Sequence, residues 1–318
     1  MLPKEIHQKT ILFSALNWGY GHVMRSIVLL KQLLKQNNEL FIACNEEQES
    51  LFKSELSHVQ YLRISGYPFS FSIKGNFNHD LFLSFKRLHT YMKQEHNQVD
   101  LWCETLHIDL VIADQSMGFY SSLKPSILIS HQLNLPLKWW EKPAQTIYNH
   151  WINRFDFIWI PDSNQPFNLS GKLSKTTRQN AKFIGSLSRF KEPCNCIKTY
   201  EFGALITGPE PQAKIFFESC KKRFLSNGAK SFIIYNRAEP ESIDNLTIVK
   251  HQKTSDMTHY LCSAKKLVTR CGYSTLMDLE ALKIKDVEFH ATPGQREQEY
   301  LFSRVSNCKT KIRPTSSY

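Results

Sequence analysis

Residues 17–22, Asn-Trp-Gly-Tyr-Gly-His, place two glycines and a histidine between an apolar run and a helical pattern. Gly19 and Gly21 allow the backbone to approach a ligand closely, and a helix that starts behind them offers free amides and a positive dipole end. That dipole disfavours a charged His22, which makes the neutral imidazole a candidate general base. A hydrogen-bonded turn histidine explains the pattern about equally well, and the third glycine of a dinucleotide fingerprint is absent.

Two further polar side chains follow apolar runs in the first half of the chain. Asp114 comes directly after residues 110–113, and His131 follows residues 127–129 after one serine. If these runs are parallel strands, both side chains lie at the carboxyl edge, where open α/β sheets bind ligands. Asp114 and His131 are therefore the second candidates for the base, although a single aspartate at a strand end more often caps a helix.

A third motif lies at residues 269–278, Thr-Arg-Cys-Gly-Tyr-Ser-Thr-Leu-Met-Asp, between a predicted strand and a predicted helix. Amides around Ser274 and Thr275 at the helix start could hold a diphosphate. Asp278 is three residues beyond Thr275 and lies on the same helix face, where a carboxylate could bind ribose hydroxyls. The other role open to Asp278 is to complement the helix dipole as a first-turn acid.

The loop at residues 292–299 follows the next predicted strand and would stand beside that motif. Its glutamine side chains could reach sugar hydroxyls. Gln298 and Glu299 are equally compatible with the solvated face of a helix.

The hydrophobic pattern alternates strand and helix in both halves, which predicts parallel sheets covered by helices. Strands are predicted at 10–15, 40–43, 59–64, 110–113, 127–129, 157–160, 204–207, 232–235, 246–249, 266–269 and 287–289. Helices are predicted over 23–34, 46–56 and 81–92, and starting near Gln212 and Tyr273. We expect an α/β protein of two tandem Rossmann-like doubly wound domains, 1–189 and 190–318, the second with a short C-terminal tail and a cleft between the two.

Composition restricts the protein class. A chain of 318 residues with 42% hydrophobic and 22% charged residues is typical of a globular protein with two domains, and excludes disordered and collagen-like classes. No apolar run approaches the roughly 18 residues of a membrane span, and no signal-peptide pattern is present, so we expect a cytoplasmic or peripheral protein. The eight cysteines are scattered, which predicts a reduced compartment, no structural disulfide and no metal site at Cys194 and Cys196.

The net charge of +11 favours an anionic partner: nucleic acid, an acidic membrane surface or a phosphorylated small molecule. No acidic residue interrupts residues 163–191, although a solvated linker is the more common explanation of such a stretch. An aromatic RNA-binding motif, a helix-turn-helix and a zinc signature are all absent from the sequence, so nucleic acid is not expected as a partner.

Taken together, the motifs resemble glycosyltransferase family 28 and its MurG-like relatives, which have the GT-B fold. The resemblance rests on Gly19-x-Gly21-His22, Ile184-Gly185-Ser-Leu187-Ser188-Arg189, Thr207-Gly208-Pro209-Glu210-Pro211-Gln212, Arg270-x-Gly272-Tyr-Ser-Thr275-x-x-Asp278 and Pro293-Gly294-Gln295-x-x-Gln298. The order and spacing of these segments cover nearly the whole chain. The last two segments form the most specific pair.

The resemblance implies a nucleotide-sugar donor, most often a UDP-sugar, held by the C-terminal domain across the cleft from an acceptor held by the N-terminal domain. It assigns the diphosphate to Gly272, Ser274 and Thr275, the ribose to Asp278, the transferred sugar to Gln295 and Gln298, and the first loop of the donor domain to Gly208. The family commonly has glutamate where this chain has Asp278.

The mechanism so implied is a single displacement at the anomeric carbon with inversion by a hexosyltransferase. His22, or else Asp114 or His131, would take the acceptor proton, while helix-end amides and Arg270 would stabilise the leaving diphosphate. No Asp-x-Asp sequence occurs, so this mechanism requires neither a metal nor a cofactor.

The acceptor and the membrane partner stay open at this stage. Family members act on lipid-linked sugars, glycolipids and soluble metabolites, and the aromatic residues at 68–71 and 139–140 would suit an anionic membrane surface, although such aromatics are more often packed. The competing functions are a nucleotide-sugar epimerase or hydrolase of the same fold, and a non-catalytic anion-binding or nucleic-acid-binding protein.

Overall fold

The computed structural model describes residues 1–69, 77–165, 168–191, 196–250 and 254–307. The chain divides into two compact units, one ending at Leu187 and the other beginning its main body at Ser188. Each unit contains one mostly parallel sheet with helices in its connections. The predicted α/β class with two Rossmann-like units is confirmed.

The first unit is built on a fully parallel sheet of seven strands. The strands are β1 (Thr10–Ala15), β2 (Glu39–Cys44), β3 (Gln60–Arg63), β4 (Leu110–Asp114), β5 (Ser126–Ile129), β6 (Phe157–Ile160) and β7 (Ala181–Phe183). The helices are α1 (Tyr20–Lys35), α2 (Glu46–Glu55), α3 (Phe77–Thr105) and α4 (Lys142–Ile152). In the sheet the strands lie in the order β3-β2-β1-β4-β5-β6-β7.

The described part of the second unit has six strands, of which only β10 runs antiparallel to its neighbour. The strands are β8 (Tyr200–Leu205), β9 (Ser231–Ile234), β10 (Glu241–Ile243), β11 (Leu246–Val249), β12 (Ala264–Arg270) and β13 (Val287–His290). The helices are α5 (Gln212–Asn227), α6 (Thr254–Ser263), α7 (Tyr273–Ala281) and α8 (Arg296–Asn307). In the sheet the strands lie in the order β10-β11-β9-β8-β12-β13.

The core of the first unit lies on both faces of its sheet. Along β1, Ile11 and Phe13 belong to one apolar cluster, which includes Ile27 of α1. Leu12, which points the opposite way, belongs to a second cluster, which includes Met92 of α3. The near-continuous apolar sequence of β1 therefore reflects a strand that is buried on both faces.

The strand order creates a switch point in each sheet. β1 has β2 on one side and β4 on the other, and β8 lies likewise between β9 and β12. Connections that leave a central strand in opposite directions open a crevice at its carboxyl end, which is where α/β sheets bind ligands. In this chain those crevices are bordered by the loops after β1 and β4, and by the loops after β8 and β12.

One expectation about the cysteines is wrong. Cys262 is disulfide-bonded, and its partner lies outside the described residues. Sequence spacing could not reveal this pair, because it does not report which cysteines the fold brings together. The other cysteines of the described residues, Cys44, Cys103, Cys196, Cys220 and Cys271, are not in disulfides.

No helix within the described ranges carries an apolar stretch long enough to cross a bilayer.

Candidate active site

Asp114 is the centre of a polar cluster at the switch point of the first unit. It is the last residue of β4 and is fully buried. Its Oδ2 accepts hydrogen bonds from Arg25 Nε at 2.7 Å and Ser26 Oγ at 2.9 Å. Its Oδ1 accepts one from Arg25 Nη2 and lies 2.9 Å from His22 Nδ1. These partners of the Asp114 carboxylate are all side chains of α1, so Asp114 does not have the helix-capping role.

The sequence of α1 explains how one carboxylate meets three partners. His22, Arg25 and Ser26 stand at positions i, i+3 and i+4 of the helix, so they share one face. The helix begins at Tyr20 behind Gly19, whose φ of 136° and ψ of 166° are open in practice only to glycine. Gly21 falls within the first turn of α1. The two glycines thus have different roles, one in the turn and one in the helix.

The contacts determine the proton position on His22. A bare ring nitrogen 2.9 Å from a carboxylate oxygen would be repelled, so Nδ1 carries the proton and donates it to Asp114. This tautomer leaves the Nε2 lone pair as the basic site of the ring. Arg25 Nη2 lies 3.0 Å from the same Nδ1, but its closer partner is Asp114 Oδ1.

Electrostatics keeps the pair in its reactive charge state. Burial and the Arg25 cation lower the pKa of His22, and together they outweigh Asp114, which raises it. Burial alone would raise the pKa of Asp114, but Arg25 and His22 hold it well below its ordinary value. At neutral pH, Asp114 is therefore a carboxylate and His22 a neutral imidazole. The His22 side chain is 20% exposed, so a partner from outside can reach it.

His131 joins the same cluster through Arg25. It lies just beyond β5 and is 3% exposed. Its Nδ1 is 3.2 Å from Arg25 Nη1 and accepts from the guanidinium, since an arginine can only donate. The structure thus brings together the three residues predicted as candidate bases, although they are scattered in the sequence.

Arg25 is the residue of this cluster that sequence analysis missed. It is 2% exposed and bonds Asp114 and His131. The signal available was the only lysine or arginine in the apolar stretch 20–30, three residues after His22. A buried cation in such a stretch needs an acidic partner, which is what Asp114 supplies.

Arg270 ends β12 at the switch point of the second unit and is 7% exposed. Its guanidinium stacks on the Phe216 ring at 4.2 Å, and Nη1 donates to the Ala291 carbonyl at 2.7 Å. Within the described residues, Nε has no partner and no carboxylate pairs with the guanidinium. Burial lowers the pKa of Arg270 to about 10, so the group is still a cation at neutral pH. A buried cation with an open donor favours an anion beside it.

The start of α7 follows Arg270 by two residues. Gly272 precedes the helix, and Ser274 and Thr275 lie in its first turn. Ser274 is partly exposed, while Thr275 is 6% exposed. Their amides belong to the group that an α-helix leaves without an internal acceptor.

Asp278, one turn further along α7, already has a partner in the described structure. Its Oδ1 accepts the hydroxyl of Ser188 at 2.7 Å. Burial raises the pKa of Asp278 to about 6, although Arg189 and the Ser188 hydrogen bond both lower it. Asp278 therefore ties the first residues of the second unit to α7. Its predicted contact with a ribose remains a prediction.

The two predicted glutamines bond each other in the loop between β13 and α8. Gln298 Nε2 donates to Gln295 Oε1 at 2.6 Å, and Gln298 Oε1 accepts the Thr292 amide at 2.8 Å. Gly208, with φ of 106°, lies in the loop after β8, where a Cβ would stand 3.8 Å from Thr292 Oγ1. That hydroxyl is buried and has no partner within the described residues. The loops after β8 and β13 are thus neighbours, and the Thr292 hydroxyl lies where they meet.

Two open depressions lie in the second unit, and no predicted donor residue lines either of them. One, of about 390 Å³, is formed by Glu210, Lys214, Phe217, Glu218, Tyr235, Arg237 and Ala238. The other, of about 360 Å³, is formed by Tyr200, Asp256, His259 and Tyr260. We place the candidate site at the switch points instead, because strand order and buried polar groups coincide there. The described residues contain no cluster of three or more His, Cys, Asp or Glu side chains suited to a metal ion.

Comparison with known proteins identifies the fold. No protein-family model matches the chain, and no curated protein matches it by sequence. A glycosyltransferase of kitacinnamycin superposes with a TM-score of 0.61 at 13% identity, over 98% of this chain and 87% of that one. A protein of Arabidopsis thaliana solved with UDP-L-rhamnose gives 0.60 at 12% identity, over 98% and 86% of the two chains.

MurG of Acinetobacter baumannii gives a TM-score of 0.54 at 12% identity, over 94% of this chain and 84% of that one. At such identities the likeness concerns the fold. The chain therefore has the GT-B fold, with its two Rossmann-like domains, as the sequence motifs predict.

Proposed function

We propose that the protein is a glycosyltransferase of the hexosyltransferase type that moves a sugar from a nucleotide-sugar donor, a UDP-sugar, to a hydroxyl acceptor. The observation that carries the proposal is the hydrogen-bonded pair of a partly exposed His22 and a buried Asp114 at the switch point of the first unit. Its imidazole is neutral, has Nε2 as its basic atom and is reachable from outside. The GT-B fold is a second support.

His22 acts as the general base in this proposal. Nε2 takes the proton of the acceptor hydroxyl while that oxygen attacks the anomeric carbon of the donor sugar. The bond from this carbon to the diphosphate oxygen breaks on the opposite side, so the configuration inverts. Asp114 stabilises the imidazolium that forms, because its carboxylate accepts from the ring Nδ1.

The leaving diphosphate carries new negative charge, and Arg270 is the group we propose for it. Its cation has no carboxylate partner within the described residues, and the amides of Ser274 and Thr275 begin the adjacent helix. A fixed cation together with helix-end amides provides charge stabilisation of the kind that a metal supplies elsewhere. We therefore propose a reaction without a metal or other cofactor.

The remaining donor contacts follow the resemblance to glycosyltransferase family 28, to which we propose the chain belongs. Gly208 and Gly272 border the phosphates, Gln295 and Gln298 bind the transferred sugar, and Asp278 binds the ribose. Asp278 Oδ1 holds Ser188, so we assign the ribose to its other oxygen.

For the acceptor we propose a lipid-linked sugar or a glycolipid, taken up by a cytoplasmic protein peripheral to the membrane. The support is an exposed aromatic pair beside α4: Trp139 is 76% exposed and Trp140 56%. Lys138 lies over the Trp140 ring at 5.1 Å, which puts a cation next to it. Tryptophan with adjacent lysine suits the interface of an anionic membrane. We expect no nucleic acid partner.

Donor binding is tested by the thermal stability of the purified protein with UDP, GDP, dTDP and their sugar conjugates. We expect a shift with the UDP series that persists in excess chelator and is lost in Arg270→Met. No shift with any nucleotide would contradict the donor assignment. A shift that requires a divalent cation would contradict the metal-free mechanism.

The base is tested by His22→Ala, with the exposed His150→Ala as matched control. We expect His22→Ala to lower kcat by about 10²- to 10⁴-fold, the usual contribution of a general base, without weakening donor binding. His150→Ala should behave like the wild type. Release of free sugar, or conversion of the donor, without any acceptor would instead indicate a hydrolase or epimerase, in which His22 activates water or the donor itself.

A further inference from the structure

Glu95 of α3 is a buried acid that the proposed reaction does not use. Its side chain is 5% exposed, and Oε2 accepts the hydroxyl of Tyr67 at 2.6 Å. Its Oε1 has no hydrogen-bond partner within the described residues. A carboxyl group buried with one oxygen open is unfavourable for folding, so its presence calls for an explanation.

Tyr67 connects Glu95 to the loops around the first switch point. Its hydroxyl accepts the amide of Gly118 at 2.8 Å, in the loop after β4. Its own amide donates to Asn17 Oδ1 at 3.0 Å, in the loop after β1. Tyr67 itself lies in the segment after β3. One tyrosine thus joins α3 to three loops at the carboxyl edge of the sheet.

The packing around this junction has little room for change. A Cβ at Gly118 would stand 2.6 Å from Met92 Cα and 2.7 Å from Glu95 Oε2, so only glycine lets this loop approach α3 so closely. The Trp18 ring meets the Tyr67 ring edge-on at 6.5 Å. A small shift of Glu95 is therefore transmitted to the loops after β1 and β4.

Those two loops present the candidate base. Asp114 precedes Gly118 by four residues, and Trp18 precedes His22 by four. We infer that Glu95 is a positioning residue, which through Tyr67 holds the loops that present His22 and Asp114 in their working geometry. The effect of Glu95 on catalysis rests on the proposed function. Its effect on the geometry of the loops does not depend on that function.

The proton on Glu95 gives the inference a pH dependence. Burial raises the pKa of Glu95 to about 8, although the Tyr67 hydrogen bond lowers it. Among the described residues, the titratable groups that face it are Tyr67 and Tyr91, and burial raises the pKa of both, so they stay neutral in this range. His96, next in the chain, bonds Tyr120 and Ser122 instead. Above about pH 8 the carboxyl therefore ionises, and no cation of the described residues lies beside it, so we expect the junction to loosen.

The first test compares Glu95→Gln with Glu104→Gln, which removes an exposed carboxylate from the same helix. A folded-state pKa raised from 4.5 to about 8 means that wild-type stability falls as the pH rises between these values. A glutamine at position 95 does not titrate, so the stability of the variant lacks this pH dependence. The melting temperature of Glu95→Gln relative to wild type should therefore rise from pH 5 to 8 and level off above. Glu104→Gln should show no such trend, and a flat difference for Glu95→Gln would overturn the pH dependence inferred for Glu95.

The second test is amide hydrogen exchange of peptides covering residues 64–69 and 114–119, at pH 7 and pH 9. At pH 9 we expect exchange at least three-fold faster in wild type than in Glu95→Gln, and equal rates at pH 7. Tyr67→Phe removes the hydroxyl that joins the loops and should speed exchange at both pH values, which keeps the test available if Glu95→Gln fails to fold. Equal rates in all three proteins would contradict the positioning role.

The third readout is the pH profile of turnover. Wild-type kcat should fall above about pH 8, while Glu95→Gln should keep its pH 7 value, within two-fold of wild type, up to pH 9. If no transfer occurs under any condition but the exchange difference is present, the proposed function fails and the positioning of the loops stands. If transfer occurs and neither exchange nor the pH profile depends on Glu95, the inference fails and the function stands.

Discussion

At the level of single residues, the candidate base depends on a charge balance that no single side chain sets. Asp114 raises the pKa of His22, while burial and Arg25 lower it by more. Arg25 thus keeps the base neutral, and its fork fixes both oxygens of Asp114. The same guanidinium reaches His131, so one arginine connects all the predicted candidates.

Arg25→Gln should raise the pKa of His22, because the cation that lowers it is gone while Asp114 remains. A base with a higher pKa is neutral only at higher pH, so the acid limb of the kcat profile should move upward. At pH 7 kcat should therefore fall, by at most the whole contribution of a general base, about 10²- to 10⁴-fold. NMR titration of the His22 ring measures the pKa directly.

Arg25→Lys serves as the conservative partner of this experiment. It keeps a cation beside Asp114 but loses the planar fork, so we expect a smaller pKa change together with a loss of kcat. The His150 resonance is the internal control, and at each pH it should be the same in the variants as in the wild type. A His22 pKa that is unchanged or lowered in Arg25→Gln would contradict the charge balance.

The site residues differ in how far the sequence could reveal them. Asp114 and His131 were predicted because strand ends converge at one sheet edge, a rule that needs only the strand pattern. Arg25 was not, since its function depends on β4, about 90 residues away. The bond between Ser188 and Asp278 was hidden for the same reason, as 90 residues separate the two. Local patterns indicate which residues reach an edge, whereas only the fold shows which of them pair.

At the level of elements, the turn from β1 into α1 depends on one glycine. Gly19 combines a φ of 136° with a ψ of 166°, and no atom stands within 4 Å of where its Cβ would be. Its requirement for glycine is therefore conformational and not a matter of space. The turn fixes where α1 starts and hence where its polar face meets Asp114.

Gly19→Ala should destabilise the protein by about 1 to 3 kcal/mol, the usual strain of a side chain in this backbone region. Gly21→Ala, two residues later inside α1, is the matched control. It should be neutral or stabilise by up to about 1 kcal/mol, since alanine favours helix over glycine. Urea unfolding of the two variants measures both. Similar free energies of unfolding for Gly19→Ala and wild type would contradict the assigned backbone conformation.

Most strands were predictable because their residues are buried on both faces. The predicted bounds of β1, β6 and β11 agree with the structure, and α5 and α7 start where expected. Helix α3 runs on to Thr105, well past the predicted segment. Helix α4 was not predicted: Ile147, one of its apolar residues, is 44% exposed, so its sequence lacks a simple buried stripe.

At the level of the whole molecule, a net charge of +11 occurs together with an exposed pair of tryptophans. Among the described residues, Trp139 and Trp140 are the most exposed large hydrophobic aromatic side chains, and their rings meet edge-on at 5.5 Å. Large exposed aromatics on a basic protein are consistent with an anionic lipid surface. The proposed lipid-linked acceptor would be found at such a surface.

We expect the protein to bind vesicles that contain phosphatidylglycerol, and to do so more weakly as salt rises. Replacing both Trp139 and Trp140 by serine should lower binding at least about ten-fold, given the apolar area that two tryptophans bury. Ile197→Ser, at a residue that is 84% exposed in the second unit, is the matched control. Vesicle flotation measures all three, and an unbound wild type would exclude the membrane partner.

The buried Arg270 has a consequence for the life of the protein in a cell. Within the described residues no carboxylate pairs with this cation, which stacks on the Phe216 ring, so an anion bound beside it would stabilise the second unit. Any ligand that binds only the folded form adds stability in proportion to the logarithm of its concentration. Proteolysis acts on the unfolded fraction, so abundance responds to small changes in stability. The amount of this protein would then follow the supply of the anionic donor that we propose for its second unit, and a cell short of that donor would lose the protein as well.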